Sequence, residues 1–210
     1  GEGRGGAREG AGRDSRRRSL MLTDALRFLL NIVFGLLVYT VLLRFLMQVL
    51  RAPFRNPLGQ AVAALTDWAV KPVRRILPGY RGYDWASLLL AWLFQVLWLA
   101  AMIALETGIV SGAVVGLVAV LAVVELIKAA LWIAIVAVFV QAVLSWVAPD
   151  GPIAGVLNAL TFPLLRPIRR VIPPLGGVLD LSPLIVIVIA QLVLIVPVAW
   201  LEQQVAQLFR

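Results

Sequence analysis

Cysteine and histidine are both absent from this 210-residue chain. That excludes disulfides, thiolate nucleophiles, histidine-ligated haem, histidine-based zinc sites and Ser-His-Asp catalysis. It also removes cysteine usage as a guide to redox compartment. Charge is scarce. Asp, Glu, Lys and Arg make up only 14% of the residues, against about a quarter in soluble domains. No glycine-rich phosphate loop follows a strand pattern. The expectation from these absences is a protein that is not an enzyme, with no cofactor, no resident metal and no catalytic residue.

Apolar residues dominate instead: 61% of the chain is hydrophobic and the mean hydropathy is +0.95. Folding such a chain in water would leave large apolar patches exposed, so it belongs in a bilayer. The net charge of +8 lies outside the apolar runs. It reads as membrane-surface charge, because no aromatic-interleaved basic groove accompanies it; no nucleic-acid partner is expected.

A membrane-crossing helix needs about 20 mostly apolar residues. Four spans are expected: 22–50, 84–105, one near 126–148, and 180–201. The apolar stretch 110–148 is long for one simple span, and whether residues 106–125 form an extra short or re-entrant element ahead of the third is left open. Glu125 and Lys128 either pair at i,i+3 on one helix face or mark the interface where that span begins. Pro197 is expected to kink the fourth span. Residues 1–20 are rich in Gly and Arg without apolar periodicity and read as a disordered extension. Met21 opens the first apolar run and is the expected natural start; the competing reading is a cytoplasmic tail.

The segment 71–78, KPVRRILP, returns 95 residues later as RPIRRVIP at 166–173. Upstream, Leu58, Ala61, Val62, Leu65 and Ala69 form one stripe of an amphipathic helix, with Pro57 in its first turn. The same spacing gives Ile153, Val156, Leu157, Leu160 and Leu164, with Pro152 in front, and Thr66 maps onto Thr161. Each copy then has a proline-bracketed basic segment, a glycine turn, an aspartate and a span. The prolines are expected to set the turns between helix and span. The repeat also includes the preceding spans, where Arg44 and Gln48 match Gln141 and Ser145. The chain therefore divides into 1–20, a first repeat 21–105 and a second repeat 106–210. It is an all-α integral membrane protein of about four transmembrane helices in two tandem repeats, each with an amphipathic surface helix.

Two spans separate the basic segments, so both face one side of the membrane. Lys71, Arg74, Arg75, Arg166, Arg169 and Arg170 are the candidate contacts to anionic lipid headgroups or to an acidic partner, since guanidinium forks suit phosphate and carboxylate oxygens. The alternative is a plain topology signal. The positive-inside rule places these loops in the cytoplasm. Asp84 and Asp180 head two spans and are read as helix caps; an ion pair with the nearby arginines is the other reading. Gln95 and Gln191 each lie roughly 16 Å into a span, and Gln48 and Gln141 occupy the other two. Interhelical hydrogen bonding is their ordinary role, and a polar pathway the sharper one. Arg44 is expected to snorkel toward the basic face.

The runs RAPFRNPLGQ, LTDWAVKPVRRILP, YDWASLLLAWLFQ, QAVLSWVAP, LTFPLLRPIRRVIPPLGG and LDLSPLIV together resemble the YggT family of bacterial inner-membrane proteins, which carry two such repeats. The resemblance extends from Met21 to about Pro197. The second copy has the fuller pattern, and Trp85-Ala86-Ser87 replaces the LSP turn in the first. The resemblance implies a multi-pass protein of the bacterial inner membrane without catalytic residues. Similar proteins are associated with osmotic stress tolerance, and plastid relatives with assembly of a b-type cytochrome, nucleoid distribution and division. Without histidine, a haem role here would be assembly help. The function read from the chain is a non-enzymatic membrane scaffold or assembly factor that meets anionic lipid and a membrane or cytoplasmic protein partner; a homo-oligomer is compatible with it. The alternative is a small oligomeric channel or transporter for ions or osmolytes lined by the four glutamines. Against that, the spans lack paired ionisable residues.

Overall fold

The computed structural model describes residues 3–80, 82–108, 112–172 and 180–207, with side chains described from residue 20 onward except at 113 and 206. Four helical stretches are long and apolar enough to cross a membrane: Leu20–Val49, Trp85–Thr107, Val114–Val147 and Ser182–Val205. They belong to helices α1 (Gly3–Val49), α3 (Trp85–Thr107), α4 (Gly112–Val147) and the pair α6 (Ser182–Val193) and α7 (Ala199–Gln207). Two shorter helices, α2 (Pro57–Ile76) and α5 (Ala154–Val171), connect the first span to the second and the third to the fourth.

Along the backbone the structure departs from the sequence expectation at the N-terminus and in the basic segments, and it decides what the sequence left open ahead of the third span. The backbone of α1 is already helical from Gly3, where the composition predicted disorder; extending a formed helix needs no new nucleus. Residues 112–147 form one continuous helix, so among the described residues no separate element precedes the third span. No proline interrupts that stretch, and Glu125 and Lys128 are accommodated inside it as a pair. The basic segments are not turns after the surface helices but their last turns. Pro72 lies inside α2, and Pro163 and Pro167 inside α5. Each costs a backbone hydrogen bond, which helices held by tertiary contacts withstand. Pro173 and the glycine turn after it fall outside the described residues. Around Pro197 the helix widens into a π-helical turn, Leu194–Val198, and the extra residue absorbs the missing N–H.

Each surface helix buries one face against the spans. On α2 the inner row is Val62, Thr66, Val70 and Val73; on α5 it is Leu157, Thr161, Leu165 and Ile168. This row is rotated slightly from the expected stripe, since Ala61, Leu65 and Leu164 are exposed. The polar Thr66 and Thr161 are fully enclosed, which shifts the buried face toward them. Leu65, Trp68 and Ile76 on α2, with Phe162 and Val171 on α5, form the outer apolar side, suited to the headgroup boundary.

Alanine-rich contacts bring the spans together: Ala86 and Ala91 of α3 pack with Val38, Val41 and Leu42 of α1 and Ala129 of α4. Small residues permit close helix approach where lipid offers no hydrophobic drive. A central cluster of Met47, Val62, Ala137, Val156, Leu157 and Leu160 joins the two repeats. The absence of native cysteine makes the topology directly testable. Cysteines introduced at Ile76 and Val171 are expected to react with an impermeant maleimide from one side of the membrane, and a cysteine at Glu106 from the other. Labelling of Ile76→Cys and Val171→Cys from opposite sides would contradict the duplicated arrangement.

Candidate functional site

The basic segments and the aspartates that follow them fold onto each other in both repeats. In the first, the Arg74 guanidinium donates from Nη2 to Asp84 Oδ2, and Asp84 is fully buried. Asp84 also receives the Ser87 hydroxyl at 2.6 Å and caps α3 through the Ser87 backbone N–H at 3.4 Å. In the second, Arg169 Nε and Nη2 donate to Asp180 Oδ2 at 3.0 and 2.7 Å. The Ser182 backbone N–H and hydroxyl donate to Asp180 Oδ1 at 2.9 and 2.5 Å. Capping and ion pairing, weighed as alternatives in the sequence, coexist on Asp84. Asp180 pairs with Arg169 and, one position before the N-cap Leu181, bonds the first N–H of α6 without being its cap. A tight turn in which Tyr80 and Tyr83 exchange backbone hydrogen bonds at 3.1 and 3.3 Å, with Gly82 at φ +84°, brings Asp84 back to Arg74.

A second link joins each surface helix to the span before it. Arg44 of α1 does not snorkel; it is 7% exposed and donates to Thr66 Oγ1 at 2.7 Å and Asp67 Oδ1 at 2.6 Å. Thr66 in turn donates to the Val62 carbonyl at 2.6 Å. In the second repeat Gln141 of α4 meets the Thr161 hydroxyl, which also reaches the Leu157 carbonyl at 2.8 Å. One hydroxyl proton serves one acceptor. The arrangement of the first repeat is therefore reproduced when Gln141 turns its amide NH2 toward Thr161, an orientation that hydrogen bonding decides.

These contacts divide the predicted cations into two groups. Arg74 and Arg169 are half-buried in the pairs just described. Arg75 and Arg170 are exposed and have no acidic partner among the described residues. Lys71 is exposed, bonded to Asp67 at 2.8 Å, and Arg166 lies 5.5 Å over the Phe162 ring. Both helices end with two arginines in the last turn, where cations complement the helix dipole.

Inside the membrane the glutamines do not converge. Gln95 lines a cavity of ≈ 270 Å³, Gln141 one of ≈ 300 Å³ and Gln48 one of ≈ 410 Å³; Gln191 is half-buried on α6. The spans do contain paired ionisable residues, contrary to the sequence expectation. Lys128 Nζ lies 2.7 Å from Glu125 and 3.2 Å from Glu202 of α7, so a cation between two carboxylates links the third and fourth spans. The i,i+3 half of this group was legible; the Glu202 half depends on tertiary packing 74 residues away. No group of three residues suited to hold a metal occurs among the described residues.

The C-terminus of α1 has one further irregularity. The Ala52 N–H donates to the Met47 carbonyl at 2.7 Å and the Arg51 N–H to the Gln48 carbonyl at 3.1 Å. This is a Schellman cap, whose central residue is usually glycine. Here it is Arg51 at φ +53°, the one non-glycine residue with positive φ among the described residues. The left-handed conformation costs an ordinary L-residue about 1–2 kcal/mol.

Burial opposes ionisation of Asp84 and Asp180, but hydrogen bonds from Ser87 and Ser182 and the neighbouring guanidiniums of Arg74 and Arg169 prevail and hold both carboxyls below their ordinary 3.8. Hydrogen bonds from Lys71 and then Arg44 lower Asp67 likewise. A depressed folded-state value stabilises the fold above the unfolded value and ceases to as pH falls through the folded one. Thermal stability is therefore expected to be flat in this respect from pH 8 to about pH 5 and to fall below the ordinary carboxyl value of 3.8. A melting temperature unchanged down to pH 2 would contradict it. Arg74→Gln strands a fully buried carboxylate and is expected to cost about 2 kcal/mol. That is below the 3–5 kcal/mol typical of a fully buried pair, because Arg74 keeps partial solvation. Arg169→Gln, opposite the more open Asp180, is expected to cost about half as much. Equal losses, or none, in detergent-solubilised unfolding would refute this difference.

The duplication is matched by comparison with known proteins. The CCB3/YggT family model matches residues 23–105 and again 120–201. An uncharacterized protein of Pseudomonas aeruginosa is 38% identical over 167 residues, covering 78% of this chain and 83% of the relative. An uncharacterized Vibrio alginolyticus protein encoded in the proC 3′ region is 36% identical, covering 79% and 89%. The uncharacterized YggT of Escherichia coli K12 is 35% identical, covering 79% and 85%. No solved structure matches the chain. Two family segments, each containing a span, a clamped surface helix and a second span, identify this chain as a two-repeat member of the CCB3/YggT family.

Proposed function

We propose that the protein is a non-enzymatic scaffold or assembly factor of the bacterial inner membrane, using its basic face in the cytoplasm to hold an acidic protein partner. The observation that carries this reading is the repeated division of labour within each arginine pair. Arg74 and Arg169 are engaged with Asp84 and Asp180, while Arg75 and Arg170 stand exposed on rigidly held helix ends. Two exposed guanidiniums on preorganised supports favour a partner carrying carboxylates or phosphates, since little ordering entropy is lost on binding. Lys71 and Arg166, also exposed, extend each basic end.

The channel reading has less support, because Gln48, Gln95 and Gln141 line three separate cavities. Membrane complex biogenesis, division and osmotic-stress tolerance are processes in which such a scaffold would serve. The test is crosslinking and co-purification from native membranes, comparing wild type with an Arg75→Gln/Arg170→Gln variant. A specific partner is expected in the wild type and at background level in the variant, with membrane insertion unchanged. Equal recovery from both would overturn the assignment of recognition to these residues.

A further inference from the structure

We propose that the cleft at the C-terminal end of α1 is a phosphate-binding site formed by Arg44, Gln48, Arg51 and Arg74. These side chains line one cavity of ≈ 410 Å³, with Ala52 and Phe54. Three guanidiniums and an amide converge there from α1, its cap and the end of α2. Arg44 and Arg74 are oriented by Asp67 and Asp84, and neither carboxylate lines the cavity. Each paired guanidinium keeps N–H groups beyond those used in its pair. Arg51 has no acidic partner among the described residues, so the cleft retains a positive charge with donors suited to phosphate oxygens.

The backbone at Arg51 is the second, independent observation. The cap geometry is the one glycine serves best, and its apolar contact is satisfied by the buried pair Met47 and Ala52. An arginine there strains the backbone and gains no partner within the described protein. Local strain without structural compensation points to a functional demand on the side chain.

The second repeat provides an internal contrast. A cavity of ≈ 300 Å³ there is lined by Gln141 and Ser145 with residues from the start of α5, not its basic end, and includes no charged side chain. Gln141 stands where the first repeat has Arg44, and Ser145 where it has Gln48. Gln141 and Ser145 in place of Arg44 and Gln48 remove one cation from the equivalent positions, so the phosphate site is assigned to the first repeat.

The cleft lies where α1 leaves the membrane, so the phosphate belongs either to a lipid headgroup or to a soluble molecule. Both sources share the chemistry, and the experiment separates them. Full-length protein in phosphate-free maltoside detergent is titrated with phosphatidylglycerol, with retained lipid counted by native mass spectrometry. In parallel, inorganic phosphate is titrated against chloride at equal ionic strength, with melting temperature as the readout. The variants are Arg51→Gly and Arg51→Lys.

Arg51→Gly removes the cation while giving the cap its preferred residue. It is expected to bind at least about tenfold more weakly, the loss of one charge-assisted contact, while melting at or above the wild-type temperature. Arg51→Lys is expected to recover part of the binding. Saturable binding of phosphatidylglycerol alone identifies a headgroup site; stabilisation by inorganic phosphate that also displaces the lipid identifies a soluble phosphate. Wild-type binding by Arg51→Gly, or no saturable binding of either probe by the wild type, overturns the proposal. The site does not depend on the scaffold reading, because these variants leave Arg75 and Arg170 in place.

Discussion

An aspartate at the mouth of a membrane span is expensive to enclose, and in this fold it is enclosed because an arginine ten or eleven residues earlier meets it. The Arg74–Asp84 and Arg169–Asp180 contacts tie the last turn of each surface helix to the first turn of the next span. Each carboxylate also satisfies N–H and hydroxyl groups at its helix start, so one side chain holds the helix start and closes a tertiary contact. The burial penalty for the charge is offset by this convergence of donors. Positions of α2 and α5 follow from it, and with them the outward aim of Arg75 and Arg170.

The inner ends of the same helices are held differently in the two repeats. Arg44 reaches Thr66 and Asp67 in the first, while Gln141 meets Thr161 in the second. The threonine is retained and its partner changes from charged to neutral. A duplicated scaffold can diverge in this way because the shape of the contact is kept while its electrostatics are altered. The first repeat thereby places a second guanidinium beside Arg74 in an arginine-lined cleft, and the second repeat has glutamine at that position. The Glu125–Lys128–Glu202 group adds a contact between the last two spans, near the ends of the bundle opposite the basic face.

Much of this was legible in the amino-acid order because the controlling signals are local or repeated. The four apolar runs, the doubled KPVRRILP and RPIRRVIP segments, and the aspartate ahead of each span gave the architecture. They also gave the residues of both clamps, although not the choice between capping and pairing. What was not legible depends on distance in sequence. Nothing around Arg44 indicates that Asp67 will face it, so snorkelling was the natural expectation and burial the outcome. Glu202 reaches Lys128 only because the π-helical turn and α7 pack against α4. The prolines of the basic segments were read as turn markers, whereas helix continuity is sustained through them by packing of Val70, Val73, Leu165 and Ile168. The left-handed Arg51 carries no local signal, since glycine is the residue its position would suggest.

The central claim is that each arginine acts on its own aspartate, and a double-mutant cycle measures that coupling directly. Unfolding free energies of wild type, Arg74→Gln, Asp84→Asn and the double variant would be compared in the same detergent. A coupling of about 1–2 kcal/mol, with the double variant less damaged than the sum of its parts, is the result the clamp predicts. Strict additivity would show that Arg74 and Asp84 act separately, and would contradict the clamp as the contact on which the fold depends.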